Sequence, residues 1–296
     1  MLKPKTQLAS ALTCAWIASL FSAASGAIVK YSSNLFSTEI VLLARMLVSL
    51  LLLCVWIEWS RKSSWKEQLK TSEWKTHLIR GAAGLTTLFL YFYSLRFLSL
   101  ADTTLLYNTM PIFVPLVAYV WRRIPIPHQI FWGIGTGFLG IALVLGPGDT
   151  IFHIAAFYAV AAGITGSIAT VALRFAHYTE PMQRTLFYYF FIGTSVALLF
   201  ALTDFKANFT TLDLQKIAIL STLGVFGFIY QILFTLAVRH APARLISPSF
   251  YFSVVFAMLF DWWLWDSIPS LVALVGFTLV ILGAFLTVYL YPKEGK

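Results

Sequence analysis

Charged residues are scarce in this chain. Asp, Glu, Lys and Arg make up 11% of its 296 residues, and 59% of the residues are hydrophobic. A soluble domain carries about 25% charged residues. The mean hydropathy is +0.81. The segments between the long apolar runs are too short for a soluble domain of useful size, so a large soluble enzyme or signalling domain is excluded.

Cysteine and acid–base chemistry are also poorly represented. The two cysteines, Cys14 and Cys54, lie in apolar runs, and neither has a Cys or His at metal-ligand spacing. An intramembrane enzyme would need His–Asp, Ser–His or paired carboxylates at one depth. His153, His177 and His240 lie at the ends of apolar runs without such partners. We therefore expect no metal, no cofactor and no catalytic residues, and the chain is not expected to be an enzyme.

Long apolar runs fill most of the sequence. A helix needs roughly 20 mostly apolar residues to cross a bilayer. The runs predict an all-α integral membrane protein with ten transmembrane helices, at residues 8–28, 37–57, 79–100, 103–121, 128–147, 152–173, 185–203, 214–237, 243–263 and 269–291.

Basic residues cluster on one side of this predicted topology. If the spans alternate, sixteen of the 21 lysines and arginines fall in the loops of one side. Cytoplasmic loops are enriched in Lys and Arg. This distribution predicts a multi-pass protein of the cell inner membrane with both termini in the cytoplasm. It also explains the net charge of +9 without a nucleic-acid partner. Tryptophans alternate with lysines in the loop at 58–78, which favours contact with membrane lipids.

The chain repeats itself. Residues 95–127 match 235–267 in kind at an offset of 140, and Gly133 and Gly140 match Gly276 and Gly283 at an offset of 143. The offset grows from 140 to 143, so the second copy has three more residues than the first. We expect these three residues in the loop before the last span. Five spans per copy is an odd number, so the second copy enters the membrane from the opposite side. The sequence thus predicts two inverted five-helix repeats, 1–148 and 149–296.

Small residues recur along the fifth and tenth predicted spans. Gly133, Gly135, Gly137 and Gly140 line the fifth span at the spacing that lets membrane helices approach closely, and Gly276 and Gly283 do so in the second copy. These glycines predict a packing face, either between the two halves or in a homodimer.

The motifs of the third to fifth spans resemble those of the EamA-type drug/metabolite transporters. The resemblance lies in residues 94–106 (SLRFLSLADTTLL), in 110–115 (MPIFVP), in the glycines of 133–140 and in Arg45 with the two residues after it. It implies secondary transport of a small metabolite by alternating access. It also implies a central cavity lined by the third, fourth, eighth and ninth spans, with help from the first and sixth. Family members often carry Glu where this chain has Arg123 and Asp266.

Polar residues deep in the spans are the candidates for substrate binding, because such groups are costly in lipid unless they face a cavity or pair internally. The offset of 140 aligns Tyr91 with Gln231 and Tyr107 with Ser247, so both copies bring polar groups to one depth. Asn108, Gln231 and Tyr107 are the strongest candidates. The predicted midplane site consists of Trp16, Ser19, Tyr91, Tyr107, Asn108, Gln231, Ser247 and Tyr251.

Prolines mark the helices around this site. Pro111 and Pro115 lie in the fourth span and Pro248 lies in the ninth. Proline removes a backbone hydrogen bond and frees a carbonyl. All three are predicted hinges.

Arg45 is the one basic residue well inside a predicted span. It would favour an anionic substrate if it faced the cavity. An ion pair with Glu39 is the preferred interpretation, because the resemblance places the second helix at the periphery. Glu58 and Asp261 are expected at the membrane interface. With no carboxylate at mid-span on the cavity helices, the substrate is expected to be uncharged or zwitterionic, such as an amino acid, a vitamin or a nucleoside-like cofactor.

Other functions remain open at this stage. An exporter or exchanger of a small metabolite is favoured. A flippase for a lipid-linked molecule is the alternative, and a lateral opening between helices would distinguish it. An intramembrane enzyme and a sensor or assembly scaffold are less favoured.

Overall fold

The structure is a computed structural model, and it describes residues 4–60, 64–123, 128–145, 154–202, 213–240, 250–267 and 269–290. Every regular element in these ranges is a helix. The helices are α1 (Pro4–Ser32), α2 (Thr38–Ser60), α3 (Trp65–Leu69), α4 (Trp74–Ser94), α5 (Leu100–Tyr107), α6 (Met110–Arg122), α7 (Ile130–Leu145), α8 (Ile154–Thr179), α9 (Met182–Leu202), α10 (Leu214–His240), α11 (Phe252–Trp265) and α12 (Leu271–Tyr289).

Most of these helices are built for a bilayer. Within the described residues, six are long and apolar enough to cross a membrane, and these include α5 and α6 taken together as Leu100–Trp121. Three shorter apolar helices lie in α7, α11 and α12. Large apolar side chains such as Val120, Leu139 and Leu199 point outward. An outward apolar surface of this extent suits lipid.

The third predicted span ends earlier than expected. It was placed at 79–100, but α4 ends at Ser94 and α5 already begins at Leu100. The reason is a helix cap: the Ser99 hydroxyl accepts the Asp102 N–H at 2.9 Å. A serine in this position satisfies a donor that the first turn leaves free.

The fourth span breaks between α5 and α6, at Asn108 and Thr109. Pro111 stands in the first turn of α6 and Pro115 lies inside it. A proline has no N–H to donate to the preceding turn. At the break the Thr109 N–H and hydroxyl both donate to the Leu106 carbonyl, at 3.3 Å and 2.7 Å. The break thus lies just before the first of the two prolines.

The packed helix pairs map onto one another when the helices before residue 146 are exchanged for those after residue 153. This exchange takes α1 to α8, α2 to α9, α4 to α10, α5–α6 to α11, and α7 to α12. Packing of α4 on α8 then corresponds to packing of α10 on α1, and α6 on α8 corresponds to α11 on α1. The pairs α2–α9 and α7–α12 correspond to themselves.

Two residues with left-handed backbone stand at matching places. Arg123 (φ 54°) ends α6 and Asp266 (φ 49°) ends α11. They are 143 positions apart, so that offset is reached before the following loop. The expectation that the loop carries the extra residues is wrong, because the offset is already 142 between Met110 and Phe252, where α6 and α11 begin, and α11 is one residue longer.

The α7–α12 contact is close enough for glycine alone. A Cβ on Gly140 would lie 2.6 Å from the Val280 nitrogen and 2.7 Å from the Gly276 carbonyl oxygen. A Cβ on Gly283 would lie 2.3 Å from the Gly137 nitrogen. The predicted packing face is confirmed, and it joins the two halves of the chain.

Gly140→Ala should therefore destabilise the bundle. The new methyl group meets backbone atoms that cannot move alone, and overpacking of this kind costs about 1–3 kcal/mol. We expect a lower midpoint of thermal unfolding in detergent. Gly135→Ala is the matched control, because a Cβ there meets nothing within 4 Å. Equal midpoints for the two variants would contradict the close α7–α12 contact.

Candidate functional site

Two adjoining cavities lie among the helices. Ser22, Tyr107 and Tyr230 line both. Each cavity has room for only about one or two water molecules in this conformation. The first is also lined by Ser19, Asn108, Met110, Phe234, Phe250 and Ser253, and the second by Ser25, Arg45, Thr87, Leu88, Tyr91 and Phe92.

Asn108 connects the two halves of the chain at the first cavity. The break after α5 places its side chain there, where Nδ2 donates to the Thr104 carbonyl at 2.8 Å and to Ser253 Oγ at 2.9 Å. The Ser253 hydroxyl in turn donates to the Phe250 carbonyl at 2.7 Å. Asn108 is 6% exposed. Its amide is therefore held in place between α5 and α11.

Tyr91 and Tyr107 form the aromatic wall of the second cavity. Their ring centroids are 5.2 Å apart with the planes at 49°. The Tyr91 hydroxyl shares a hydrogen bond of 2.9 Å with Thr104 Oγ1. Tilted rings with one anchored hydroxyl give a fixed surface on which a flat or cationic group can stack.

Arg45 lies inside this cavity and not at its periphery. Its guanidinium carbon is 5.5 Å from the centre of the Phe92 ring and 5.8 Å from that of Tyr230. The expected ion pair with Glu39 is not formed between these two described residues, so the preferred interpretation was wrong. Residues six apart on a helix do not share a face, whereas those three or four apart do.

The other predicted site residues lie elsewhere. Trp16 is 52% exposed, and its ring packs 5.5 Å from that of Phe252. Gln231 and Tyr251 are buried but line neither cavity in the described part of the chain. Ser247 and the hinge candidate Pro248 lie outside the described residues. The geometry thus brings together Ser19, Tyr91, Tyr107 and Asn108 from the predicted set.

Several lining residues were not predicted. Ser22 and Ser25 follow Ser19 at intervals of three on α1, and this spacing on one helix face could have indicated them. Tyr230 and Ser253 do belong to the polar residues at mid-span depth in the sequence, but the predicted midplane site leaves them out. Ser253 accepts from Asn108.

A buried carboxylate closes one end of the bundle. Asp261 lies near the end of α11, where the sequence placed it, but its side chain is only 1% exposed and so faces the bundle. Oδ1 pairs with Lys30 Nζ at 2.9 Å, and Oδ2 accepts the Ala101 N–H at 2.7 Å. The Leu100 N–H also donates to Oδ1, at 3.2 Å. The start of α5 has free N–H groups and a positive dipole end, which draw the carboxylate inward. We call these four residues the Asp261 cluster.

A second buried carboxylate closes the other end. Glu180 lies in the turn between α8 and α9 and is 5% exposed. Its carboxylate pairs with Arg184 at 2.6 Å and accepts from the Thr71 hydroxyl. Its backbone carbonyl accepts from Arg239 at 2.6 Å. His77 Nε2 lies 3.9 Å from the carboxylate. These five residues form the Glu180 cluster, which joins the α3–α4 segment to the ends of α8 and α10.

In the described residues, a helical bundle with apolar outer faces encloses two cavities with hydroxyl, phenol and amide groups in their walls, and it has a buried charge cluster at each end. These features are expected of a membrane transporter. The chain belongs to the EamA-like transporter family, whose family model matches residues 9–146 and again residues 153–289. The resemblance in the motifs is thereby confirmed, and the chain is a multi-pass membrane protein that transports small molecules.

Several relatives are transporters by name. The chain is 25% identical to the pseudopaline exporter CntI of Pseudomonas aeruginosa over 205 residues, or 69% of this chain and 71% of that protein. It is 24% identical to an uncharacterised transporter of Helicobacter pylori, with 88% of each chain covered. It is also 24% identical to an S-adenosylmethionine uptake transporter of Rickettsia bellii, with 77% of each covered.

The fold has a counterpart among solved structures. One crystal structure matches with a TM-score of 0.66, covering 94% of this chain and 96% of that chain, at 16% sequence identity. At this identity the likeness shows the fold alone.

Proposed function

We propose that this protein is a secondary transporter that moves a small metabolite by alternating access around the two cavities. The observation that carries this proposal is the bond from Asn108 to Ser253, 2.9 Å long, at a helix break inside the bundle. It joins α5 of the first half to α11 of the second. A polar contact between two halves, beside a cavity, is where a substrate site of an inverted-repeat transporter lies.

The two halves are proposed to be inverted five-helix repeats, 1–148 and 149–296. The exchange of helix pairs described above supports this. So does the glycine contact, in which Gly140 meets residues 276 and 280 while Gly283 meets 133 and 137. Gly283 lies 143 positions after Gly140, and residues 276 and 280 lie 143 positions after 133 and 137. The two contacts are therefore equivalent, as expected if an approximate two-fold axis passes between α7 and α12.

Alternating access is supported by the two carboxylate clusters. In both, the carboxylate belongs to the second half of the chain, and partners such as Lys30 and Thr71 belong to the first. The cavities are too small for a metabolite while both clusters are closed. We infer that this conformation is occluded and that opening one cluster at a time admits the substrate from one side.

We propose a cell inner-membrane location with both termini in the cytoplasm. The lysine and arginine distribution supports this orientation. The contacts agree with this orientation. Lys30, predicted to be external, lies with Asp261 at the start of α5. Arg184, predicted to be cytoplasmic, pairs with Glu180 at the opposite end of the bundle. The sequence has no carboxylate at mid-span on the cavity helices, which favours facilitated diffusion or exchange over tight proton coupling.

The proposed substrate is a small uncharged or zwitterionic metabolite, such as an amino acid, a vitamin or a nucleoside-like cofactor. Hydroxyls from Ser19 and Ser22, phenols from Tyr107 and Tyr230, and the Asn108 amide line the space it would enter. These groups donate and accept hydrogen bonds without adding charge.

Asn108→Ala tests the proposal. Compounds of the three classes are first screened with purified protein by thermal shift, and transport of any stabilising compound is then measured in proteoliposomes. We expect the variant to lose at least tenfold in transport rate with little loss of expression, because its two side-chain bonds within the membrane are worth only about 1 kcal/mol each. Asn34→Ala, on an exposed turn, is the matched control. Unchanged transport by Asn108→Ala would overturn the site.

A further inference from the structure

We propose that Arg45 binds a carboxylate of the transported molecule, so that the substrates of this protein are carboxylate-bearing metabolites. This inference rests on the proposed transport function and names the chemical class of its substrate. It assigns to α2 a direct part in the site.

Arg45 is placed as a binding group. It is 5% exposed, and it lines the second cavity together with Ser22, Ser25 and Tyr91. Gly227 on α10 makes room for it, since a Cβ there would lie 2.6 Å from Arg45 Nε. The side chain thus occupies a prepared space between α2 and α10, with its guanidinium beside open volume.

The charge of Arg45 lacks an anionic partner within the described residues. Two other inward-facing cations bond to protein oxygens: Lys30 pairs with Asp261, and Arg80, which like Arg45 has no carboxylate partner among the described residues, donates to the Thr185 carbonyl at 2.7 Å. Around Arg45 the recorded contacts are the faces of Phe92 and Tyr230. A charge inside a membrane protein is expensive unless it is paired or serves function. An anion that enters with the substrate would supply the missing partner.

The geometry favours a carboxylate. A guanidinium is planar and presents two parallel N–H groups that match the two oxygens of a carboxylate. One cation neutralises one carboxylate. A doubly charged phosphate would leave a net negative charge in a low-dielectric site, which is costly. Ser22, Ser25 and Thr87 line the same cavity and offer hydroxyls to a neighbouring amino or hydroxyl group of the substrate.

The experiment uses matched acid–amide pairs. Proteoliposomes containing the full-length protein are loaded with an equimolar mixture of the amino acids and their primary amides, together with nicotinate and nicotinamide. Release is followed by mass spectrometry. We expect release of acid members at rates at least tenfold above those of their amides. We expect Arg45→Met to lose at least tenfold of the acid release, and Arg45→Lys to keep part of it.

Controls separate binding from folding. Arg80→Met removes another buried arginine that lines neither cavity; it should leave the acid-to-amide ratio unchanged even if it lowers the unfolding midpoint. Every variant is compared by size-exclusion profile, and its rates are taken per folded protein. Equal release of acids and amides by the wild type, or an unchanged ratio in Arg45→Met, would overturn the carboxylate inference alone. Release of no member of the mixture would overturn the proposed function for these substrate classes, and this inference with it.

Discussion

Asp261→Ala is expected to lower the midpoint of thermal unfolding in detergent by roughly 10 °C. Removing one partner of a buried ion pair costs about 3–5 kcal/mol, and each kcal/mol shifts the midpoint by about 2–4 °C in a chain of this order of size. Here the loss is compounded, because the carboxylate also accepts the first N–H groups of α5. The variant leaves both Lys30 and the start of α5 without their anion.

Two further variants, Asp261→Asn and Lys30→Met, test which bonds of the Asp261 carboxylate account for the expected loss of stability. Asp261→Asn keeps an oxygen that can accept from the Ala101 N–H, so its midpoint should fall by less than that of Asp261→Ala. Lys30→Met should also cost less, since Lys30 is 17% exposed and the carboxylate keeps its two backbone donors. A double-mutant cycle of the two positions isolates their coupling. A coupling near zero would contradict the buried ion pair.

Glu180→Ala is expected to have an effect of similar size at the opposite end. The carboxylate holds Arg184 and Thr71, and its loss leaves the half-buried Arg184 guanidinium with only the carbonyls of Gln68 and Glu67 as partners. We expect a midpoint lower by roughly 10 °C. The α3–α4 segment should also become more open to protease, because Thr71 is one of its attachments to the α8–α9 turn.

The control for Glu180→Ala is Glu67→Ala. Glu67 lies in α3 and its side chain is exposed. Its contact with the Glu180 cluster is through the backbone carbonyl, which accepts from Arg184 at 3.1 Å and which alanine keeps. The control should keep the wild-type midpoint within about 2 °C, since surface substitutions usually change stability by no more than about 0.5 kcal/mol. Equal midpoints for the two variants would contradict the buried role of Glu180.

The sequence was sufficient for the helical class because apolar runs respond to the bilayer alone. The close contact between α7 and α12 could also be predicted, because helices that pack closely in membranes carry small residues at a regular spacing. Asn108 and Tyr107 were found because polar groups are rare at mid-span. Helix ends were less predictable: α5 begins where Ser99 caps it, which depends on one side-chain bond.

Contacts between distant helices could not be read from the sequence. The position of Asp261 near the end of its span could be read from the sequence, but its burial against the start of α5, 160 residues earlier, could not. Arg45 was assigned to Glu39, which is near in sequence, whereas its surroundings come from α4 and α10. Trp16 was chosen for its residue type, and the rotation of α1 turns it outward.

The central claim is that the two cavities form one substrate pathway that opens to either side in turn. Ser22 lines both cavities, so Ser22→Cys in a variant lacking Cys14 and Cys54 places a single thiol in that pathway. The control is Gly135→Cys. Residue 135 lies on the outer face of α7, which faces the lipid, and it lines neither cavity, so its thiol should not react with a reagent dissolved in water. In oriented vesicles, a membrane-impermeant thiol reagent should label Ser22→Cys when added from either side. Labelling from one side only, or from neither, would contradict alternating access at this site.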